Sequence, residues 1–249
     1  MSRQKKKQSD LILFKFLLIS LTLLTTTNFT VQIYRKPSEI LNFLPLGKAK
    51  TLEQTWSAYQ KYFRRYSVDF ITPIYLASLA HVESSGNPLA TPKWRMRLHD
   101  DWSKLYAPES TAVGLFQFTN ATYEEAKKYC VRSGRIIRDG RWDDFNSCWF
   151  NWAYLRISAA DSIQMAAALL YTDTLDVLQS LAPKISAQRK REVSSVIHLC
   201  GKTKGIEFVQ KKFNLRALRN CGDYSPLTYV QKVSQNERAL ESFDTNALR

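Results

Sequence analysis

Glycine and proline are scarce, eight of each in 249 residues. That excludes collagen-like and low-complexity architectures and leaves few breakers to interrupt a helix. Cysteine occurs only at positions 130, 148, 200 and 221, with no C-x-x-C pair, so zinc-ribbon and thioredoxin-type sites fail on spacing. With three histidines in the chain, no metal site is expected. His81-Val82-Glu83 lacks the second histidine of a zinc-protease helix, and no G-x-S-x-G elbow is present. Cys200-Gly201-Lys202-Thr203 mimics the end of a phosphate loop, but Val196 stands where the earlier glycine is required. No strand-like alternation persists, and no repeat with a period of about 20 to 50 residues is visible. What is there is 45% hydrophobic and 12% aromatic, enough for one domain of generous size or two small ones. The expected fold is mostly α.

Acidic residues are outnumbered, giving a net charge of +14. Arg3, Lys5, Lys6 and Lys7 precede an apolar run from Leu11 to Leu24, interrupted by Lys15. This is the layout of an export signal, yet no A-x-A cleavage site follows. Extended to Tyr34, the stretch can span a membrane as a tilted helix of about 20 residues, basic end inside. Residues 1–34 therefore read as a signal or, preferably, an uncleaved anchor. Without them the remainder still carries a net charge of +10. A basic exported surface suits an anionic membrane or an acidic polymer; export argues against nucleic acid. In an oxidising compartment the four cysteines read as two disulfides. Sequence neighbours suggest Cys130–Cys148 and Cys200–Cys221, each worth about 3 kcal/mol on the chain-entropy view, although three connectivities are possible.

Residues 35–50 hold two prolines and a glycine and read as a linker. Thr51 and Gln54 form a capping box ahead of helically spaced Trp56, Tyr59, Phe63 and Tyr66. Thr72 caps a second helix with Pro73 in its first turn. That helix, PIYLASLAHVE, is apolar on nearly every side and so is expected to be buried. Residues 84–118 read mostly as loop. Thr122 and Glu125 are expected to start a helix towards Cys130, and Ser158 with Asp161 a long one through MAAALLYTDTLDVL. Helical stretches follow near 186–199 and 204–213, and a last one after Pro226. The expected domain covers residues 51–236, with a polar tail over 237–249.

Glu83 is the only formally charged side chain between Asp69 and Lys93. It falls at the carboxyl end of the buried helix, where the dipole and apolar surroundings both disfavour the ionised form. A carboxyl that keeps its proton at neutral pH is what a general acid needs. Ser84-Ser85-Gly86-Asn87-Pro88 then turns the chain, and about thirty residues later comes Ala112-Val113-Gly114-Leu115-Phe116-Gln117-Phe118. Gly114 permits close backbone approach to a ligand, and Gln117 offers a donor and an acceptor for sugar hydroxyls and N-acetyl groups.

Together, Glu83-Ser84-Ser85-Gly86-Asn87-Pro88 and Gly114-Leu115-Phe116-Gln117 resemble the E-S-x-x-N-P and G-L-M-Q signatures of the soluble lytic transglycosylases. The resemblance covers residues of about 65 to 235, including Ala126–Cys130, Asp161–Leu170, His198-Leu199-Cys200-Gly201 and Asn220-Cys221-Gly222. It implies a lysozyme-like α domain behind the anchor or signal, on the periplasmic side of a bacterial envelope. It implies cleavage of the β-1,4 bond between N-acetylmuramic acid and N-acetylglucosamine in peptidoglycan strands, without water, to 1,6-anhydro ends. Glu83 would act as the single acid and base, with no cofactor and as a monomer. Ser84, Gly114, Phe116, Gln117, Phe118 and His198 become expected substrate-binding positions. Phe116 replaces the usual methionine, keeping an apolar wall for a sugar ring. His198 stands where the family's A-Y-N-A-G segment carries a tyrosine that supports the acid. Asp100, Asp101 and Glu109 are candidates for a second acid; Trp94, Trp102 and Tyr106 could stack on sugars. Asp139, Asp143 and Asp144 read as a solvated turn rather than a calcium loop. Rival readings are a non-catalytic peptidoglycan-binding or secretion-scaffold protein, a goose-type lysozyme, and an anchored nucleic-acid binder that lacks any recognisable module.

Overall fold

Apolar side chains dominate the residues after the basic start, and the chain there forms one long helix, α1 (Ser2–Arg35). The computed structural model describes residues 2–36, 40, 47–96, 101, 105–141, 143–148, 150–179 and 184–247. Within it, Leu11–Arg35 is long and apolar enough to cross a membrane. The chain divides into two units, Met1–Pro45 with Thr91–Thr111, and Leu46–Ala90 with Ala112–Arg249. In the smaller unit α1 is accompanied by a short antiparallel hairpin, β1 (Trp94–Met96) paired with β2 (Tyr106–Pro108). The sequence reading expects loop there. Of the expected linker, residues 37–39 and 41–46 lie outside the described residues, and 47–50 have no regular structure.

The larger unit is built from helices that begin where side chains satisfy orphan N–H groups. Thr51 closes a complete capping box with Gln54 at the start of α2 (Leu52–Tyr66). Thr72 accepts from the Tyr75 N–H and opens α3 (Pro73–Ser84), with Pro73 in the first turn. The next helix, α4 (Asn120–Ala126), starts earlier than the Thr122–Glu125 spacing suggests, because Thr119 is the cap that accepts from the Thr122 N–H. Nor does it reach Cys130. Tyr129–Arg132 and Arg135–Arg138 form β3 and β4, an antiparallel hairpin. Ser133 and Gly134 turn it, both at positive φ, and the β-branched residues of each arm suit a pleated ribbon. Cys130 on β3 is joined to Cys148, as expected. Ser158 caps α5 (Ala159–Leu178) through the Asp161 N–H, again as its spacing requires. There follow α6 (Ala187–Cys200), α7 (Lys202–Gln210) and α8 (Pro226–Ala247).

The core surrounds α5, whose residues from Ser162 to Leu170 are all buried. Alanines at 166, 167 and 168 let neighbouring elements approach closely on all sides. On α3 the stretch Tyr75–Ala80 is equally buried, which explains why its sequence shows no polar face. One boundary needs correction. Residues 237–247 are not a tail but the continuation of α8, which buries Glu237 and Leu240. Isolated apolar residues among polar ones mark a narrow buried stripe, not a solvated end. Leu240→Ala should therefore lower the unfolding free energy by about 2–4 kcal/mol in urea titrations. A loss below about 0.5 kcal/mol, typical of an exposed site, would restore the tail reading.

Candidate active site

Glu83 occupies the last turn of α3, and one of its oxygens gathers partners from two other helices. The Tyr229 hydroxyl, in the first turn of α8, donates to Glu83 Oε1. His198 Nε2, in the last turn of α6, lies 3.4 Å from the same oxygen. Glu83 Oε2 has no hydrogen-bond partner among the described residues. The Glu83 side chain keeps 16% of its surface exposed and His198 8%, so the carboxyl is largely enclosed yet reachable. Burial, reinforced by the facing carboxyl, holds the Tyr229 phenol well above its ordinary value of 10. Tyr229 is thus a fixed donor.

Three helices frame this pair, and polar links join them in every combination. The Tyr75 hydroxyl of α3 lies 3.1 Å from Ser195 Oγ of α6. Because Ser195 Oγ itself donates to the Arg191 carbonyl at 2.9 Å, Tyr75 is the donor. Arg191 of α6 meets Glu237 of α8 at 2.7 Å. Asn236 of α8 donates to the Ser78 carbonyl of α3 at 3.5 Å. Cys200, two residues beyond His198, is bonded to Cys221 in the turn before α8, as expected. The disulfide therefore tethers the segments that deliver the two Glu83 partners.

The two sequence motifs meet through Ser84. Its hydroxyl lies 2.9 Å from both the Ala80 and Leu115 carbonyls, clasping the end of α3 to the Gly114–Gln117 turn. That turn is closed by reciprocal bonds between Val113 and Phe118, each 3.1 Å. Gly114 has φ +88°, and a Cβ there would lie 2.2 Å from the Arg156 carbonyl oxygen. The close approach that demands glycine is thus by the protein's own backbone, a correction to the expected ligand contact. Gln117 donates its side-chain amide to the Ala90 and Gly114 carbonyls at 3.0 and 2.9 Å. Its carbonyl oxygen is the end left to meet a ligand.

Phe116 and Phe118 are also corrected. Both are fully buried, 0% and 1% exposed, and cannot present a face to a sugar. They stack on each other with centroids 6.1 Å apart. Each then meets the His198 ring edge-on at 6.4 Å, forming the apolar seat of that imidazole. The structure brings Glu83, Ser84, Phe116, Phe118 and His198 into one constellation. Trp94, Tyr106, Asp101 and Glu109 belong to the other unit, where Glu109 pairs with Arg95 at 3.2 Å. Asp100 and Trp102 lie outside the described residues. Asp139 and Asp144 accept turn N–H groups, and Asp143 pairs with Arg141.

Sequence reasoning missed Tyr229. A signal was present: Tyr229, Val233 and Leu240 share the buried stripe of α8. A tyrosine on such a stripe buries its hydroxyl and must find a partner. The buried phenols also set an alkaline limit. Tyr75 and Tyr229 are both raised above 10, so the folded chain keeps protons there that the unfolded chain releases. Their contribution to stability is complete below about pH 10 and is lost as pH rises through the folded values. Tyr229→Phe should remove about 1.4 kcal/mol of the total stability lost between pH 9 and 11, measured by urea unfolding across that range. An unchanged slope would place the hydroxyl in water. Compared with family models, curated proteins and solved structures, the chain matches none.

Proposed function

We propose that the protein is a peptidoglycan lytic transglycosylase in which Glu83 is the only acid and base. One observation carries this reading: two groups are gathered on Oε1 of a largely enclosed carboxyl, while Oε2 has no partner among the described residues. A proton on Oε1 would compete with the Tyr229 hydroxyl, so the transferable proton belongs on Oε2. From there it passes to the glycosidic oxygen between N-acetylmuramic acid and N-acetylglucosamine. The C1–oxygen bond breaks, and the departing sugar keeps that proton as its 4-hydroxyl. The 2-acetamido group of the muramic residue assists at C1 while the charge develops. Glu83, now a carboxylate, takes the proton of the C6 hydroxyl as O6 bonds to C1. The product is a 1,6-anhydro end, Glu83 is again protonated, and no water is consumed.

Tyr229 and His198 act as positioning residues in this scheme. They fix the carboxyl's orientation, and Tyr229 stabilises the negative charge that forms between the two proton transfers. One carboxylate suffices because the nucleophile is the sugar's own hydroxyl, whereas most glycoside hydrolases need a second acid. The basic remainder suits an acidic polymer. In the same reading α1 anchors the chain in the inner membrane, with its disulfide-bonded unit on the oxidising, periplasmic side.

The test is incubation of the detergent-solubilised chain with cell-wall sacculi and mass analysis of the released fragments. Anhydro ends are expected; reducing ends would indicate a lysozyme, and no release a binder. Glu83→Gln should lower turnover by about 10²- to 10⁴-fold with the fold intact. Tyr229→Phe removes a hydrogen bond to a charged group, worth about 1.5–3 kcal/mol, and should lower turnover by about 10- to 100-fold. Full activity in Glu83→Gln would falsify the assignment.

A further inference from the structure

The smaller unit has a feature that the chemistry at Glu83 does not use. Every residue of α1 from Leu11 to Thr27 is exposed, 17 residues or about 25 Å of helix at 1.5 Å per residue. From Asn28 one side of the helix is covered: Asn28 and Gln32 are buried and Phe29, Val31 and Ile33 half-buried, while Thr30, Tyr34 and Arg35 stay exposed. The bare length is close to the bilayer's hydrocarbon thickness of about 30 Å. Protein cover therefore begins at the depth where lipid tails give way to headgroups.

The β1–β2 hairpin meets α1 at this level. Trp94 stacks on Phe29 with ring centroids 5.8 Å apart, and Lys36 Nζ donates to the Ser110 carbonyl at 3.1 Å. Phe29 lies about 27 Å along the helix from Leu11. The register pairs Trp94 with Pro108 and Met96 with Tyr106. Strand alternation puts these four on one face of the hairpin and Arg95 with Ala107 on the other. Met96 is 81% exposed and Tyr106 48%, the latter's ring 5.2 Å from that of Trp94. Arg95, on the opposite face, is paired with Glu109 at 3.2 Å. A face of exposed Met96 and Tyr106 around a half-buried Trp94, beside the end of an apolar span, has the composition of a membrane-interface belt.

The geometry points to β1–β2 as a second membrane contact, its Trp94–Met96–Tyr106 face seated in the headgroup–acyl boundary of the leaflet where α1 emerges. This rests on the reading of α1 as a membrane anchor. The occupant is the lipid bilayer itself, continuous with the surface that already surrounds Leu11–Thr27. A hairpin held there would fix the depth and rotation of the anchor, which a single helix alone leaves loose.

The test is depth measurement by spin labelling of the full chain in vesicles of phosphatidylethanolamine and phosphatidylglycerol. All four native cysteines are in disulfides, so one introduced thiol labels uniquely. Nitroxides are placed through Met96→Cys, through Leu18→Cys in the bare part of α1, and through Tyr224→Cys, 59% exposed in the other unit. Collision with oxygen relative to a water-soluble nickel complex should rise severalfold at 96 over 224, approaching the ratio at 18. An immersed label at 18 with 96 matching 224 overturns the hairpin contact while leaving the anchor intact. A label at 18 that matches 224 overturns the anchor reading and this inference with it.

Discussion

The donation from the Tyr229 hydroxyl to Glu83 Oε1 is the contact on which the arrangement of the larger unit depends. A carboxyl in the last turn of a buried helix faces the negative end of the dipole and loses hydration. It is tolerated there because partners arrive from elsewhere in the chain. Tyr229 comes 146 residues later. Burial, reinforced by the facing carboxyl, holds the phenol's proton firmly. Each group thus resolves the other's burial, and neither position makes sense alone.

The frame around that contact is redundant in a specific way. Tyr75 to Ser195, Arg191 to Glu237 and Asn236 to Ser78 link α3, α6 and α8 pairwise. The Cys200–Cys221 bond restrains the chain between His198 and Tyr229 in the unfolded ensemble as well. Preorganisation of this kind is what an acid–base group requires, since small misplacements of a reacting atom are expensive. The Ser84 clasp extends the frame to the Gly114–Gln117 turn, whose buried phenylalanines seat the histidine. In the proposed chemistry the aromatic residues of the motif therefore act through His198 and not through the sugar.

Much of this is legible in the sequence. Caps at Thr51, Thr72 and Ser158 announce themselves because a hydroxyl three residues ahead of its donor is a local device. Both disulfides match the neighbour pairing, one of three connectivities that the sequence leaves open. The failures have equally local causes. The Thr122–Glu125 spacing mimics a capping box, whereas the hydroxyl that caps α4 is that of Thr119. The hairpin at 129–138 has arms too short for alternation to register, although Ser133-Gly134 is a turn signal. The motif suggests Phe116 as a sugar wall, and Phe118 reads as a ring that could stack on sugars; their burial depends on helices distant in sequence. Tyr229 was hidden for the same reason, since its partner is set by tertiary packing. The α1–hairpin association could not be read at all, because β1 starts 58 positions after Lys36.

In the proposed mechanism Oε1 is the held oxygen of Glu83 and Oε2 the working one. The structure of the Glu83→Gln variant with a bound peptidoglycan fragment tests it most directly, because its side-chain amide mimics the protonated acid. In that complex the amide oxygen should still accept from Tyr229, while the amide nitrogen donates to the scissile glycosidic oxygen at about 3 Å. A fragment seated away from this carboxyl, or one that displaces Tyr229 to reach Oε1, would contradict it.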